Sequence, residues 1–212
     1  MTIPNSHDGQ TDAPMRIARG GVLEAAILLV AGAALFAVAC QSSGGRSSAK
    51  DAAAARIERG KYLVTSGGCN DCHTPMKMGP GGAEPDMSRM LSGHPAGVQM
   101  PAPPKLPEGP WGWVVATTNT AFAGPWGVSY SPNLTPDEAS GIGVWSEEMF
   151  IRTLRSGKHW GQSRPILPPM PWRGIGALTD EDLKSIYAYL RSIPPVRNEV
   201  PSSEPGAPPG RW

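Results

Sequence analysis

Charge of one sign is what this chain most plainly lacks. Its 19 Lys and Arg balance 18 Asp and Glu, for a net charge of +1. No basic cluster stands out either, which excludes the electrostatic footprint of a nucleic-acid binder. Cysteine is nearly absent, with three in 212 residues. Phenylalanine and tyrosine are few, three and four, against seven tryptophans. No acid–base pair or activated nucleophile is legible, and the Arg and His residues are scattered rather than set as a catalytic couple. What is abundant is Gly and Pro, 26 and 24, together nearly a quarter of the chain and well above average usage. The length suits one modest domain with extensions. Composition predicts a small helical core with long, proline-stiffened loops.

Two of the three cysteines fall in Cys69-Asn-Asp-Cys72-His73. A bare Cys-x-x-Cys fits a dithiol redox motif or half a zinc site. The histidine that follows at once makes it a c-type haem attachment pattern. Haem has two vinyl groups on neighbouring sides of one ring, and two thiols on a tight turn can add across both. The next side chain then reaches the iron from the same face, holding it through one ring nitrogen. The other nitrogen is expected to donate to a carbonyl, which fixes the tautomer. A zinc reading needs two further ligands; His94 and His159 are available, but neither sits in a ligand-like pair.

The N-terminus reads as a targeting segment. A short basic stretch, Met15-Arg-Ile-Ala-Arg-Gly20, precedes an apolar and glycine run from Ala25 to Ala39 that ends at Cys40. That is the pattern of a signal peptide. Leu35-Phe-Ala-Val-Ala-Cys40 resembles a bacterial lipobox, which implies lipidation of Cys40 at the head of the mature chain. The match is imperfect, since Ala37 stands where leucine is usual. An uncleaved membrane helix over about 21–39 and soluble export remain open; Glu24 weighs against the helix, because a carboxylate in hydrocarbon is costly. Residues 41–49 are a flexible linker by composition. The predicted layout is a signal peptide and lipobox at 1–40, a linker at 41–49, a folded domain at 50–197 and a Pro-rich tail without its own fold at 198–212. With Cys40 taking lipid and Cys69 and Cys72 taking haem, no thiol is left over.

Within the domain a helix is predicted from Lys50 to about Ser66, with Ile57, Tyr62, Leu63 and Val64 as its apolar stripe. Residues 74–130 are loop-rich, with a short strand or two near Val114–Thr118 and Gly127–Tyr130. Ser146 reads as an N-cap followed by Glu147 and Glu148, and Gly157 as the stop. Met149, Phe150, Ile151 and Leu154 are the expected buried side of that helix. Thr179 caps a last helix with Leu183, Ile186, Tyr187 and Leu190 inward, ending before Pro194-Pro195.

A helix running into Cys-x-x-Cys-His resembles a bacterial monohaem cytochrome c, the class with an N-terminal helix, a haem turn and a distal methionine. Asn133-Leu-Thr-Pro-Asp-Glu-Ala-Ser-Gly-Ile-Gly-Val-Trp145 is similar to a segment in cytochrome c subunits of bacterial membrane-bound dehydrogenases. The resemblance covers about 50–197. It implies a mostly α fold of about three to five helices around one covalent haem c and its iron. It implies a close crossing of the first and last helices, with Gly60 as the candidate small residue. It also implies a carbonyl for His73 from Gly79-Pro80, or failing that Pro75.

Nine methionines compete for the sixth iron position. Met170 lies on the stiff loop Pro165-Ile-Leu-Pro-Pro-Met-Pro-Trp172, and by resemblance in the family's C-terminal signature before the last helix. Its 97-residue separation from His73 is longer than in the smallest cytochromes. Met90 and Met100 are the stronger rivals, and His94 or His159 would give bis-His ligation. A His73/Met170 pair fills both axial positions and raises the haem potential, which suits electron transfer. The expected protein is an electron carrier and not an enzyme, tethered by lipid at the periplasmic face of a bacterial membrane. Its expected partners are a dehydrogenase, an oxidase or another cytochrome, with no nucleic acid. The alternative is a haem enzyme or gas or redox sensor with an open or labile sixth position.

Overall fold

The computed structural model describes residues 48–105 and 109–206. The predicted signal segment, Cys40 and most of the predicted linker lie outside the described residues. The chain divides into a unit of Met1–Lys50 and a unit of Asp51–Trp212; the architecture below is that of the second.

Helix α1 is formed over 48–66, so its first residues fall within the stretch expected to be linker. A short helix α2, Cys69–His73, follows. Strands β1 (Met76–Gly79) and β2 (Gly82–Pro85) form a hairpin, and a single 3-10 turn spans Met87–Arg89. Next come β3 (Val114–Val115), β4 (Ala121–Gly124) and β5 (Gly127–Tyr130), then α3 (Glu147–Ser156), α4 (Trp172–Gly176) and α5 (Asp180–Ser192). The last strand, β6 (Glu204–Pro205), pairs with β5, closing an antiparallel sheet of order β3-β4-β5-β6.

The helix ends follow the local chemistry of the sequence. Ser146 accepts a hydrogen bond from the Met149 amide, and Gly157 ends α3 in a left-handed conformation at φ 65° that glycine adopts without strain. Thr179 caps α5 through the Asp182 amide, with Asp180, Glu181 and Asp182 at the positive end of the helix dipole.

The core is built by the helices and the loops they trap. Val64 from α1, Phe150 and Leu154 from α3, and Leu183, Ile186 and Leu190 from α5 bury around Leu91, Ile142 and Ile193. The expected stripe of α1 needs one correction: Tyr62 is 61% exposed, with the Arg59 guanidinium over its ring. The inward face is Ile57, Gly60 and Val64, at helical spacing, with Leu63 at its flank and Tyr62 roughly 150° round the helix from it. On α3 the buried positions are Phe150, Thr153 and Leu154, and Met149 is only half-buried. Thr153 goes inside because its hydroxyl donates to the Met149 carbonyl, 2.8 Å away.

Helices α1 and α5 meet backbone to backbone at Gly60, as the resemblance implied. A Cβ at Gly60 would lie 1.9 Å from the Ser185 carbonyl oxygen. Arg59 and Asp182 bridge the same crossing at 2.9 Å.

The described part of the expected tail, 198–206, is not structureless. Asn198 is buried, 3% exposed. Its amide donates to the Ser92 and His94 carbonyls and its oxygen accepts from the Ala96 amide and Arg89. A proline-rich composition removes donors from a chain, but one asparagine with four partners is enough to pin it.

Candidate haem site

Gly67 ends α1 and Gly68, at φ 68°, turns the chain directly into α2. On that single helical turn Cys69 stands three residues from Cys72 and four from His73, the spacings that share a face. Both thiols are free and half-buried. Cys69 packs against the core cluster. Burial pushes its thiol up to about 11, with the Asp71 carboxylate adding to the effect. The Cys72 thiol is raised for the same reasons, burial first. Both sulfurs are therefore held as neutral thiols, Cys69 at the wall of an apolar core.

His73 is 5% exposed. Its Nδ1 lies 2.9 Å from the Pro132 carbonyl oxygen. A carbonyl only accepts, so Nδ1 carries the proton and Nε2 keeps its lone pair. Nε2 has no hydrogen-bond partner among the described residues. Burial lowers the ring's pKa, against the opposing pull of the Pro132 bond, so the imidazole is the neutral, ligating form. Two thiols and a neutral, oriented imidazole on one turn are the donor set that a covalent haem requires.

The carbonyl partner was expected from Gly79-Pro80 or Pro75, and it is Pro132 instead. Pro80 and Gly81 are spent in the two-residue turn joining β1 to β2. Pro75 is buried, and its carbonyl accepts from the Asp86 amide. Pro132 arrives because residues 91–94 lie along 131–134: the His94 amide bonds Ser131, the Leu134 amide bonds Leu91, and the Gly93 amide bonds the His73 carbonyl itself at 2.8 Å. Gly93, at φ 79°, permits that approach; a Cβ there would sit 2.3 Å from the Ser131 carbonyl oxygen. Thr74, fully buried, adds a further tie, accepting from the Leu91 amide and donating to Asn70.

The segment after Pro132 is fixed by its own side chains. The Asn133 oxygen accepts from the Thr135 amide and hydroxyl, and its nitrogen donates to Val196 and Ser140. Asp137 accepts from the Ser140 amide and hydroxyl, a local tie of the kind that aspartate supplies in turns.

The rival ligands separate by their surroundings. His94 is fully buried with both nitrogens engaged, Nδ1 with Thr120 and Nε2 with the Val98 carbonyl. His159 lies between the rings of Trp145 and Trp160. Met78, Met87 and Met100 are 80%, 59% and 37% exposed. Met90 and Met170 are both half-buried against the core, alongside Cys69 and Trp145. Met90 belongs to the segment bonded to Thr74 and His73. Met170 comes from a separate element, on a loop tied to β5 where the Ser129 hydroxyl donates to the Pro168 carbonyl.

The helical core, the α1–α5 crossing and the two-thiol, one-imidazole turn define a covalent-haem electron-transfer domain. The chain belongs to the cytochrome c family, whose model matches residues 57–194, and its cofactor is covalent haem c with its iron. Curated relatives include a nicotinate dehydrogenase subunit of Pseudomonas putida, 31% identical over 71% of this chain and 10% of that protein. The fructose dehydrogenase cytochrome subunit of Gluconobacter japonicus is 30% identical over 70% of this chain and 24% of its own. The alcohol dehydrogenase (quinone) cytochrome c subunit of Gluconobacter oxydans is 28% identical over 74% and 26%. The chain thus spans about a quarter or less of the relatives it matches. Among the described residues no helix is long and apolar enough to cross a membrane.

Proposed function

We propose that this chain is a monohaem, class I type cytochrome c that passes single electrons from a dehydrogenase to a further carrier. Cys69 and Cys72 hold the haem, and His73 and Met170 are its axial ligands. The observation that carries this reading is the buried His73 ring with Nδ1 committed to Pro132 and Nε2 left for iron. Haem supplies a one-electron couple that needs no bond making at the iron when both axial positions are filled. The chain's own residues supply orientation and dryness: Pro132 fixes the imidazole plane, and Thr74, Gly93 and Asn133 fix Pro132. Met170 is supported by its half-buried place against the core cluster that Cys69 also packs on and by its arrival on an element other than the one bonded to His73. The dehydrogenase donor is supported by the roles that the relatives' names carry. A lipid on Cys40, holding the domain at the periplasmic face of a bacterial membrane, completes the proposal, on the lipobox-like pattern alone.

The test is the spectrum of the oxidised, haem-loaded protein. A weak far-red charge-transfer band marks thioether on ferric iron, and Met170→Ala should abolish it and lower the potential. An unchanged spectrum in that variant refutes the ligand assignment. High-spin iron in the unaltered protein, with fast carbon monoxide uptake when reduced, would instead favour a sensor or enzyme.

A further inference from the structure

Trp160 combines a strained backbone with an exposed aromatic side chain. It occupies the left-handed backbone region, φ 56° and ψ 16°, where a bulky side chain carries about 1–2 kcal/mol of strain. Its ring is nevertheless 50% exposed. The loop around it is over-determined: Lys158 pairs with Pro165, and the Gly157 and Lys158 carbonyls accept from the Ile166 and Gly161 amides. A structure that spends strain to hold an aromatic ring outward points to a use for the ring at the surface.

Three further features converge there. Trp160 stacks on His159 at 4.9 Å, and His159 meets the edge of Trp145 at 5.3 Å. Trp145 packs against the same core as Cys69 and Met170, so an aromatic path runs from that shared core to solvent. Val144, the residue before Trp145, is 72% exposed. From Glu148 to Asp180 the intervening chain carries five Arg or Lys and no carboxylate. Arg152 and Arg155 are matched by Glu148 and Asp180. Lys158 and Arg164 are exposed and make no ion pair among the described residues.

We propose that the loop 157–166, with Trp160 as its apolar anchor and Lys158 and Arg164 as its charged rim, is the docking surface for an acidic redox-partner protein. The inference rests on the electron-carrier reading above and adds the place and charge of the encounter. Opposite charge raises the encounter rate, a buried tryptophan supplies the contact energy, and the Trp145–His159–Trp160 stack shortens the gap between donor and acceptor. An anionic bilayer would also attract Trp and Lys, but it would have no use for a path to the haem.

The probe is a photoreduced flavodoxin, an acidic one-electron flavoprotein, mixed with the oxidised, haem-loaded full chain. One electron leaves the flavin hydroquinone, giving the semiquinone, and reduces ferric haem to ferrous. Free photoreduced flavin serves as the partner-free reference, and the readout is the ratio of the two rates. We expect the ratio to fall at least about tenfold in the Lys158→Glu, Arg164→Glu double variant, and with rising salt in the unaltered protein. Trp160→Ser and Trp160→Asn should each lower it several-fold, the asparagine keeping a residue that tolerates the left-handed backbone. Lys61→Glu, a single such reversal on α1 with half the change in charge, should leave it within about twofold. Amide chemical shifts of 158–164 should move on titration with oxidised flavodoxin. Equal ratios in all variants, or an effect of Lys61→Glu as large as that of the loop, would overturn the docking surface while leaving the electron carrier intact. So would loop variants altered only in binding to phosphatidylglycerol vesicles. No reduction even by free flavin would overturn both.

Discussion

The Gly60 crossing sets two effects of opposite sign against each other, so Gly60→Ala is a sharp test of the packing between α1 and α5. Helix propensity alone favours alanine by about 1 kcal/mol. Against this, the new Cβ would stand 1.9 Å from the Ser185 oxygen, 2.6 Å from its carbonyl carbon and 2.8 Å from Tyr189 Cβ. Ordinary contact begins at 3.4 Å, so α1 and α5 must part by roughly 1.5 Å. Two of the three obstructing atoms are backbone of a thirteen-residue helix and cannot swing aside. Overpacking of this kind costs about 1–3 kcal/mol, and a gap of that size also forfeits a large share of the dispersion contacts along the seam. The net expectation is a loss of about 1–2 kcal/mol, read as a lower guanidinium midpoint at unchanged slope in the haem-loaded protein. Gly174→Ala is the control, because that helical glycine has nothing within 4 Å, and it should be neutral or stabilising. If Gly60→Ala behaves like Gly174→Ala, the backbone contact does not exist in solution and the reasoning fails.

Asn198→Ala should cost about 2–3 kcal/mol, since it strands the buried Ser92 and His94 carbonyls; a midpoint within error of the parent's would refute the role given to that side chain. His94 is held below its ordinary pKa by burial, with the Val98 carbonyl opposing, so the unfolded chain takes up the proton first. Stability should be level above about pH 6.5 and decline as pH falls below it. His94→Gln should make that decline shallower without abolishing it, because burial and Arg164 lower His159 as well; identical slopes would count against a neutral, buried His94. Arg59→Ala removes a pair whose arginine is half-exposed, and denaturation at low and high salt should show a small loss that vanishes as salt is added.

What was legible in the sequence was whatever a few adjacent residues decide. Cys69, Cys72 and His73 share one turn, so their face follows from spacing alone. Ser146, Gly157 and Thr179 act on amides within three or four residues, and their caps were readable in the same way. Gly60 was found only through resemblance, because nothing next to it says which helix it meets. The carbonyl for His73 was misplaced because the choice is made by residues 91–94 lying on 131–134, a pairing with no local mark beyond Gly93. Strands near β3 and β5 were legible, but β1, β2 and β4 and all the strand pairings were hidden in segments rich in Gly, Pro and Met, where alternation is weak. The C-terminal stretch was read as unfolded from its prolines, while Asn198 depends on carbonyls 104 and 106 positions earlier and β6 on β5, also far upstream in the chain.

That last dependence bears on the order of biosynthetic events. Asn198 holds Ser92, 106 positions upstream, and the Ser92–His94 strip in turn supports the backbone of His73. A polypeptide emerging amino end first therefore presents its two sulfurs long before the clasp on that strip has been made. Only when the carboxyl end has swung back is the brace behind the histidine turn complete.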